Sequence, residues 1–349
     1  MKKVIAKLRA RKQPKEPEGR ITTDTLAEHR ERVLAGGRKF KYPVQYARHK
    51  LVINAIIISA AAVLFFIALG WYLLYPAQNN SDFMYRVTKV VPVPVAIIDG
   101  QQVRYSDYLM KYRSAAHYLV EKEQIDTKSE DGKRQLDYVK SQAMADAVAD
   151  AYAVKLARQL NITVSDSDLQ AYLKQQRQSS DGEVSESTYD SVIMDYYGWS
   201  PDEYQDAMRS KLLRQEVSYA IDTNASSRAK EVESKISSGT TDLKAITDTL
   251  NAENQGAAEY GTPAWVPRNN QDGGLALAAA KLQKGQVSTA VKSTTDGGYY
   301  YVKLIDSNDS QIEYEYIHIP LTKFSTQLKE VENSGKLTKF IAVSDVTQQ

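Results

Sequence analysis

Few side chains in this sequence are equipped for chemistry. The four histidines, His29, His49, His117 and His318, are widely separated, and cysteine is absent. Disulfides, thiolate metal sites and thiol catalysis are thereby excluded. There is no phosphate-cradling glycine loop, no H-E-x-x-H pair and no G-x-S-x-G elbow, so no metal or other cofactor is expected. Asp195, Asp202 and Glu203 fall in helical stretches, where surface charge is the ordinary explanation. The remaining candidates are aromatic. Tyr299, Tyr300 and Tyr301 follow one another in GYYYVKLID, and Tyr314, Tyr316 and His318 alternate with Glu313, Glu315 and Ile317 in IEYEYIHIPL. A strand period of two puts Tyr299 and Tyr301 on one face and Tyr300 on the other. With Trp265, the Tyr299/Tyr301 face offers flat amphipathic surfaces suited to extended apolar polypeptide; their ordinary role is core packing.

Such residues need a sheet to hold them. Over residues 228–306 two helical stretches, RAKEVESKISSG and TDLKAITDTL, lead to the Gly/Pro-rich YGTPAWVPRNNQDGG and the small-residue helix LALAAAKLQKG. Two strand-like runs, QVSTAVKS and GYYYVKLID, close the segment around a TTDG turn, which predicts an α+β domain. Upstream, Val95–Ile98, the Asp99-Gly100 turn and a helix capped by Ser106 form a strand-turn-helix opening, the helix carrying Tyr108, Leu109, Tyr112, Ala115, Ala116 and Leu119 at helical spacing. A second, longer helix follows, with Leu136, Val139, Met144, Val148, Ala151, Tyr152 and Leu156 in an apolar stripe that Lys155 interrupts. The turn NITVSD caps a further helix. After Pro320 the pattern reads as one more helix, a stop at Gly335 and a short strand that docks back on a domain.

Charge is divided unevenly. Residues 1–50 hold 15 Lys+Arg against 5 Asp+Glu, and the remainder holds 30 against 38. Between head and body lies LVINAIIISAAAVLFFIALGWYLLY, residues 51–75, with no charged side chain; as a helix it is roughly 37 Å long, enough to cross a hydrocarbon core of about 30 Å. Arg48, His49 and Lys50 flank one end and Trp71, Tyr72 and Tyr75 the other, so the positive-inside rule leaves the N-terminus in the cytoplasm. The long charged leader and the absence of an A-x-A site read as an uncleaved signal anchor. Pro14 and Pro17 break the basic leader into a loose tail, and TLAEHRERVLAGG forms a juxtamembrane helix that Gly36-Gly37 ends. The basic head sets topology or, in a second reading, attracts anionic lipid at about 1 kcal/mol per well-placed cation. The acidic balance of the body argues against nucleic acid.

The opening VAIIDGQQVRYSDY, the helix pair YVKSQAMADAVADAYAVKLARQLNITVSDSDL and the segment 187–222 resemble the N-terminal domain of the SurA/PpiD/PrsA group of extracytoplasmic foldases. Ala229–Gly239 with Leu243, AWVPR around Trp265, and AKLQKGQVSTAVKSTTDGGYYYVKLID resemble parvulin-type prolyl isomerases. The second resemblance implies an isomerase that grips a proline in an apolar pocket and eases rotation over a barrier of about 18–20 kcal/mol. It also implies two central histidines. One position is Tyr300 here, and the strand that carries the other is missing between Ile221 and Ala229, where TNASSR stands. IEYEYIHIPL is expected to fill that place, as in a circular permutation, bringing His318 to Tyr300. The family's pocket aromatic falls on Leu275, beside the alanines 276–280, which implies a shallower pocket.

The resulting expectation is a membrane-anchored chain with a mainly α helical chaperone domain followed by an α+β parvulin-like domain. Its boundaries are 1–50 cytoplasmic tail, 51–75 transmembrane helix, 76–90 linker, 91–222 SurA N-terminal-like domain, 223–320 parvulin-like domain, and 321–349 C-terminal helix and strand. Its partners are unfolded or exported polypeptides and the membrane. Tyr300 and His318 are the catalytic candidates of a weakly active or inactive isomerase; Trp265, Leu275, Tyr299 and Tyr301 are the substrate-binding candidates. An active isomerase and a non-catalytic scaffold for one envelope partner are the alternatives.

Overall fold

A computed structural model describes residues 23–41, 43–179, 182–262, 265–293 and 295–344. The lysine-rich leader before residue 23, read above as a loose tail, lies outside them. Two compact units divide the chain, residues 1–73 and 74–349.

The first unit holds helix α1 (Thr23–Lys41) and most of α2 (Pro43–Leu74). Gly36 and Gly37 do not end α1, which runs on to Lys41. Glycine costs a helix only about 1 kcal/mol per residue, and no proline follows until Pro43. Within α2, His49–Leu74 is long and apolar enough to cross a membrane, and none of its window is buried.

In the second unit, the stretch expected to be a linker is half helix. Ser81 caps α3 (Asp82–Val90), which buries Met84, Tyr85 and Thr88. A nine-residue helix is marginal in water by itself, so packing of these residues against the rest of the unit is what holds it. Tyr75, expected at the headgroup level, instead donates its hydroxyl to Pro94 O at 2.7 Å and packs edge-on against Tyr105 and Phe340. Strands β1 (Pro94–Ile98) and β2 (Gln101–Arg104) form a hairpin whose turn, Asp99-Gly100, has positive φ at both residues, as a two-residue turn requires. Helix α4 (Tyr105–Glu121) follows with Arg104 at its cap; Ser106 is buried in the first turn and bonds Asp107 instead of capping.

Helix α5 (Glu130–Leu160) starts at the Ser129 cap and ends at Asn161 in the left-handed conformation. The break in its apolar stripe has a reason: Lys155 reaches the hairpin turn, donating to Asp99 O at 2.7 Å and to the Asp99 carboxylate. Capping boxes open α6 (Asp166–Gln176) and α8 (Pro201–Ile221). Between them lie β3 (Gln178–Ser179), β4 (Gly182–Glu183) and α7 (Glu186–Tyr197).

Asp222 ends α8 and caps α9 (Thr223–Ser237), so TNASSR is the first turn of a helix. Then come α10 (Leu243–Glu253), β5 (Glu259–Gly261), β6 (Val266–Pro267), α11 (Leu275–Ala279), β7 (Val291–Lys292), β8 (Tyr299–Ser307) and β9 (Gln311–Ile319). The sheet runs β5-β9-β8-β7, with β6 also on β9. One face packs on α9 and α10 through Tyr301, Ile317 and Ile319; the other packs on α11 through Tyr300, Val302, Leu304, Ile312 and Tyr314. Helix α12 (Lys323–Asn333), a turn at Gly335 and β10 (Leu337–Lys339) complete the described chain, and β10 pairs antiparallel with β1, becoming the third strand of the first sheet.

Candidate functional site

Antiparallel pairing of β8 and β9 sets Tyr300 opposite His318, Val302 opposite Tyr316 and Leu304 opposite Tyr314, all on the α11 side. The Tyr300 and His318 rings stack, with centroids 4.3 Å apart and planes 12° from parallel. Tyr316 lies 5.6 Å from Tyr300 on the same face. The strand expected to fill the vacant place thus lies directly beside β8, and the two catalytic candidates touch.

Both rings are committed to the protein. Tyr300 donates its hydroxyl to Asp296 at 2.5 Å, and Asp296 also accepts from Ser293 Oγ at 2.6 Å. Burial, the largest effect, followed by the Asp296 bond, pushes the Tyr300 hydroxyl well above the usual phenol range, keeping it a donor. For Asp296 burial acts upward, but the bonds from Ser293 and Tyr300 outweigh it and leave its pKa below the ordinary value. His318 sets Nδ1 3.1 Å from Glu259 Oε2 and donates Nε2–H to Gly297 O at 3.2 Å. Tyr314 donates to Asp272 Oδ2 at 2.7 Å, while the other oxygen of Asp272 accepts the Ala276 amide in the first turn of α11.

The same face has little room. Tyr300 is 5% exposed, and Leu275, the expected pocket residue, is buried in the same cluster as the first residue of α11. The Tyr316 ring lies over Gly261, where a Cβ would come within 2.3 Å of it. Two substrate-binding candidates fall on the wrong side of the sheet. Tyr301 is 0% exposed among Ala229, Val232 and Ile317, and donates its hydroxyl to Ala229 O at 2.7 Å; Tyr299 is half-buried there, edge-on to Tyr219. Helices α9 and α10 cover the face that alternation alone had left open. Among the four binding candidates only Trp265 is exposed, at 40%.

Two family models match the chain: a SurA-like N-terminal domain over residues 45–218 and a PPIC-type PPIase domain over residues 212–306. The chain belongs to the SurA/PpiD/PrsA-like foldases. No curated protein matches it. In this foldase the isomerase match ends before β9, so the strand that sets His318 on Tyr300 lies beyond the matched residues.

Clefts open within the foldase's helical part and beside it. A cleft of ≈ 670 Å³ lies between α3, β2, α4, α5 and α8, and a smaller one of ≈ 260 Å³ shares Tyr85 and Met110 with it. A third, of ≈ 340 Å³, lies between α8, α12 and the loop of Asp296 and Gly297. Sequence reasoning missed Asp296 and Asp272, because surface-type acids in loops carry no periodic signal, and Glu259, because it opens the three-residue strand β5. It also missed Asp222, which is 3% exposed. That carboxylate accepts Ala225 N at 3.0 Å, Thr322 N at 2.8 Å and Lys323 N at 3.0 Å, joining the starts of α9 and α12.

Proposed function

We propose that this foldase is a membrane-anchored chaperone, held by residues 49–74 with its folded part outside the cytoplasm, that holds unfolded or newly exported polypeptides and isomerises prolyl bonds weakly or not at all. The observation that carries the second half is the filled α11 face. Catalysis of this rotation requires a proline ring buried beside the twisting amide, and burial contributes only about 25 cal/mol per Å² of apolar surface removed from water. Tyr300, Tyr314, Tyr316 and Leu275 already occupy the space a proline would need. Tyr300 and His318 do stack, which favours the active reading, but their polar atoms are engaged by Asp296, Glu259 and Gly297. Holding then belongs to the clefts of the helical domain and not to Tyr299 or Tyr301. Anchoring rests on the apolar window in α2, and orientation on the basic residues before it.

The test is turnover of an X-Pro peptide by the full chain in lipid nanodiscs, alongside its suppression of client aggregation. Suppression without turnover is the expected outcome. Clear turnover that Tyr300→Ala or His318→Ala abolishes would establish the active isomerase instead.

A further inference from the structure

The large cleft of the helical domain carries a charge pattern at odds with its surroundings. Beyond residue 50 the chain holds 30 Lys+Arg against 38 Asp+Glu, yet the cleft collects Lys89, Arg104, Lys111, Arg158 and Arg209. Two of these are neutralised: Lys111 pairs with Asp150 at 2.7 Å and Arg209 with Asp166 at 2.7 Å. Lys89, Arg104 and Arg158 have no carboxylate within ion-pair distance among the described residues. Arg104 bonds only Lys89 O and Arg158 only Gln101 Oε1, both neutral acceptors. Against these three the cleft sets only Asp206 and Asp107, since its third acid, Asp150, is the partner of Lys111. The rim is therefore net positive above a floor that includes Met110, Ala151 and Val154.

Tyr85 joins this cleft to the smaller one. It is 3% exposed and lines both, with its hydroxyl beside the Glu203 carboxylate, which also takes the Ser200 amide at 2.9 Å in a capping box, and with Lys89 Nζ 5.7 Å from its ring centroid.

We infer that this cleft is the polypeptide-binding site of the helical domain, and that it selects extended segments in which acidic side chains flank apolar ones. The apolar side chains cover Met110, Ala151 and Val154, and the acidic ones reach Lys89, Arg104 and Arg158. This inference rests on the chaperone reading above and adds the class of client.

The experiment uses the full chain in nanodiscs of uncharged lipid and a short fluorescent peptide with a Leu/Val/Phe centre, made with Glu, Gln or Lys at both flanks. Affinity is read by anisotropy at low and high salt. The Glu peptide is expected to bind about fivefold tighter than the Gln peptide, and the Lys peptide more weakly still, the difference shrinking at high salt. Arg104→Gln with Arg158→Gln removes the preference while the Gln peptide binds as before. Equal affinity for the three peptides, or a preference that survives in the double variant, overturns the inference. Aggregation suppression without binding of any peptide also overturns it but leaves the chaperone reading intact; loss of both defeats the chaperone reading itself.

Discussion

Tyr301 and Asp99 show how much a single polar atom decides here. The Tyr301 hydroxyl is the partner of the Ala229 carbonyl inside the core of the second sheet. Tyr301→Phe removes the second donor to that carbonyl, which lies inside α9 and keeps its helical bond, and is expected to cost about 1 kcal/mol, read as a lower urea midpoint at unchanged slope, with no effect on client binding. Asp99 is held below the ordinary carboxylate pKa first by its bond from Lys155 and also by Lys336. A depressed folded-state pKa stabilises the fold above the unfolded value of about 3.9 and stops doing so as pH falls through the folded value. The stability difference between the native chain and Asp99→Asn is therefore expected to be largest near neutral pH and to vanish in acid. A difference independent of pH would show that the carboxylate charge is not what the turn uses.

At the scale of elements, the β8–β9 pair holds the aromatic face, and Gly298, just before β8, is one of its tight points. Its φ is +102°, and an added Cβ would lie 2.5 Å from His318 Nε2 and 2.7 Å from Ile319 O. Gly298→Ala is expected to destabilise by about 2–3 kcal/mol and to disturb the His318–Tyr300 stack, visible as a shift of the His318 ring resonances. Tyr219 on α8 donates to Gly298 O at 2.6 Å, so the helical part supports the same corner. Most of the helices were legible beforehand because stripes such as Met144, Val148, Ala151 and Tyr152 repeat at 3.6 residues. Helix α3 and the short strands β5 and β6 were not: α3 begins at the end of the polar AQNNSD, whose composition reads as linker, and strands of two or three residues form only against neighbours already in place.

Across the second unit, the C-terminal segment ties the two parts together. It leaves the second sheet at Ile319, starts α12 on the Asp222 carboxylate and returns β10 to β1. Asp222→Ala removes three backbone partners at two helix starts, where negative charge is favourable, and is expected to cost about 3 kcal/mol. Calorimetry would then show one lowered transition if both parts unfold together, and hydrogen exchange would rise in β1 as well as α9. An effect confined to α9 would mean that α12 holds without this carboxylate. By itself the sequence determined the apolar span, the charge asymmetry, the helical domain ahead of an α+β domain, and the placing of Tyr300 and Tyr301 on opposite faces, since each follows from local composition or a fixed period along the chain. Tertiary structure alone decided which face α9 and α10 would cover, which acids would engage Tyr300 and His318, and where unpaired cations would gather. Those outcomes depend on contacts between residues far apart in the chain, and a one-dimensional pattern carries no record of them.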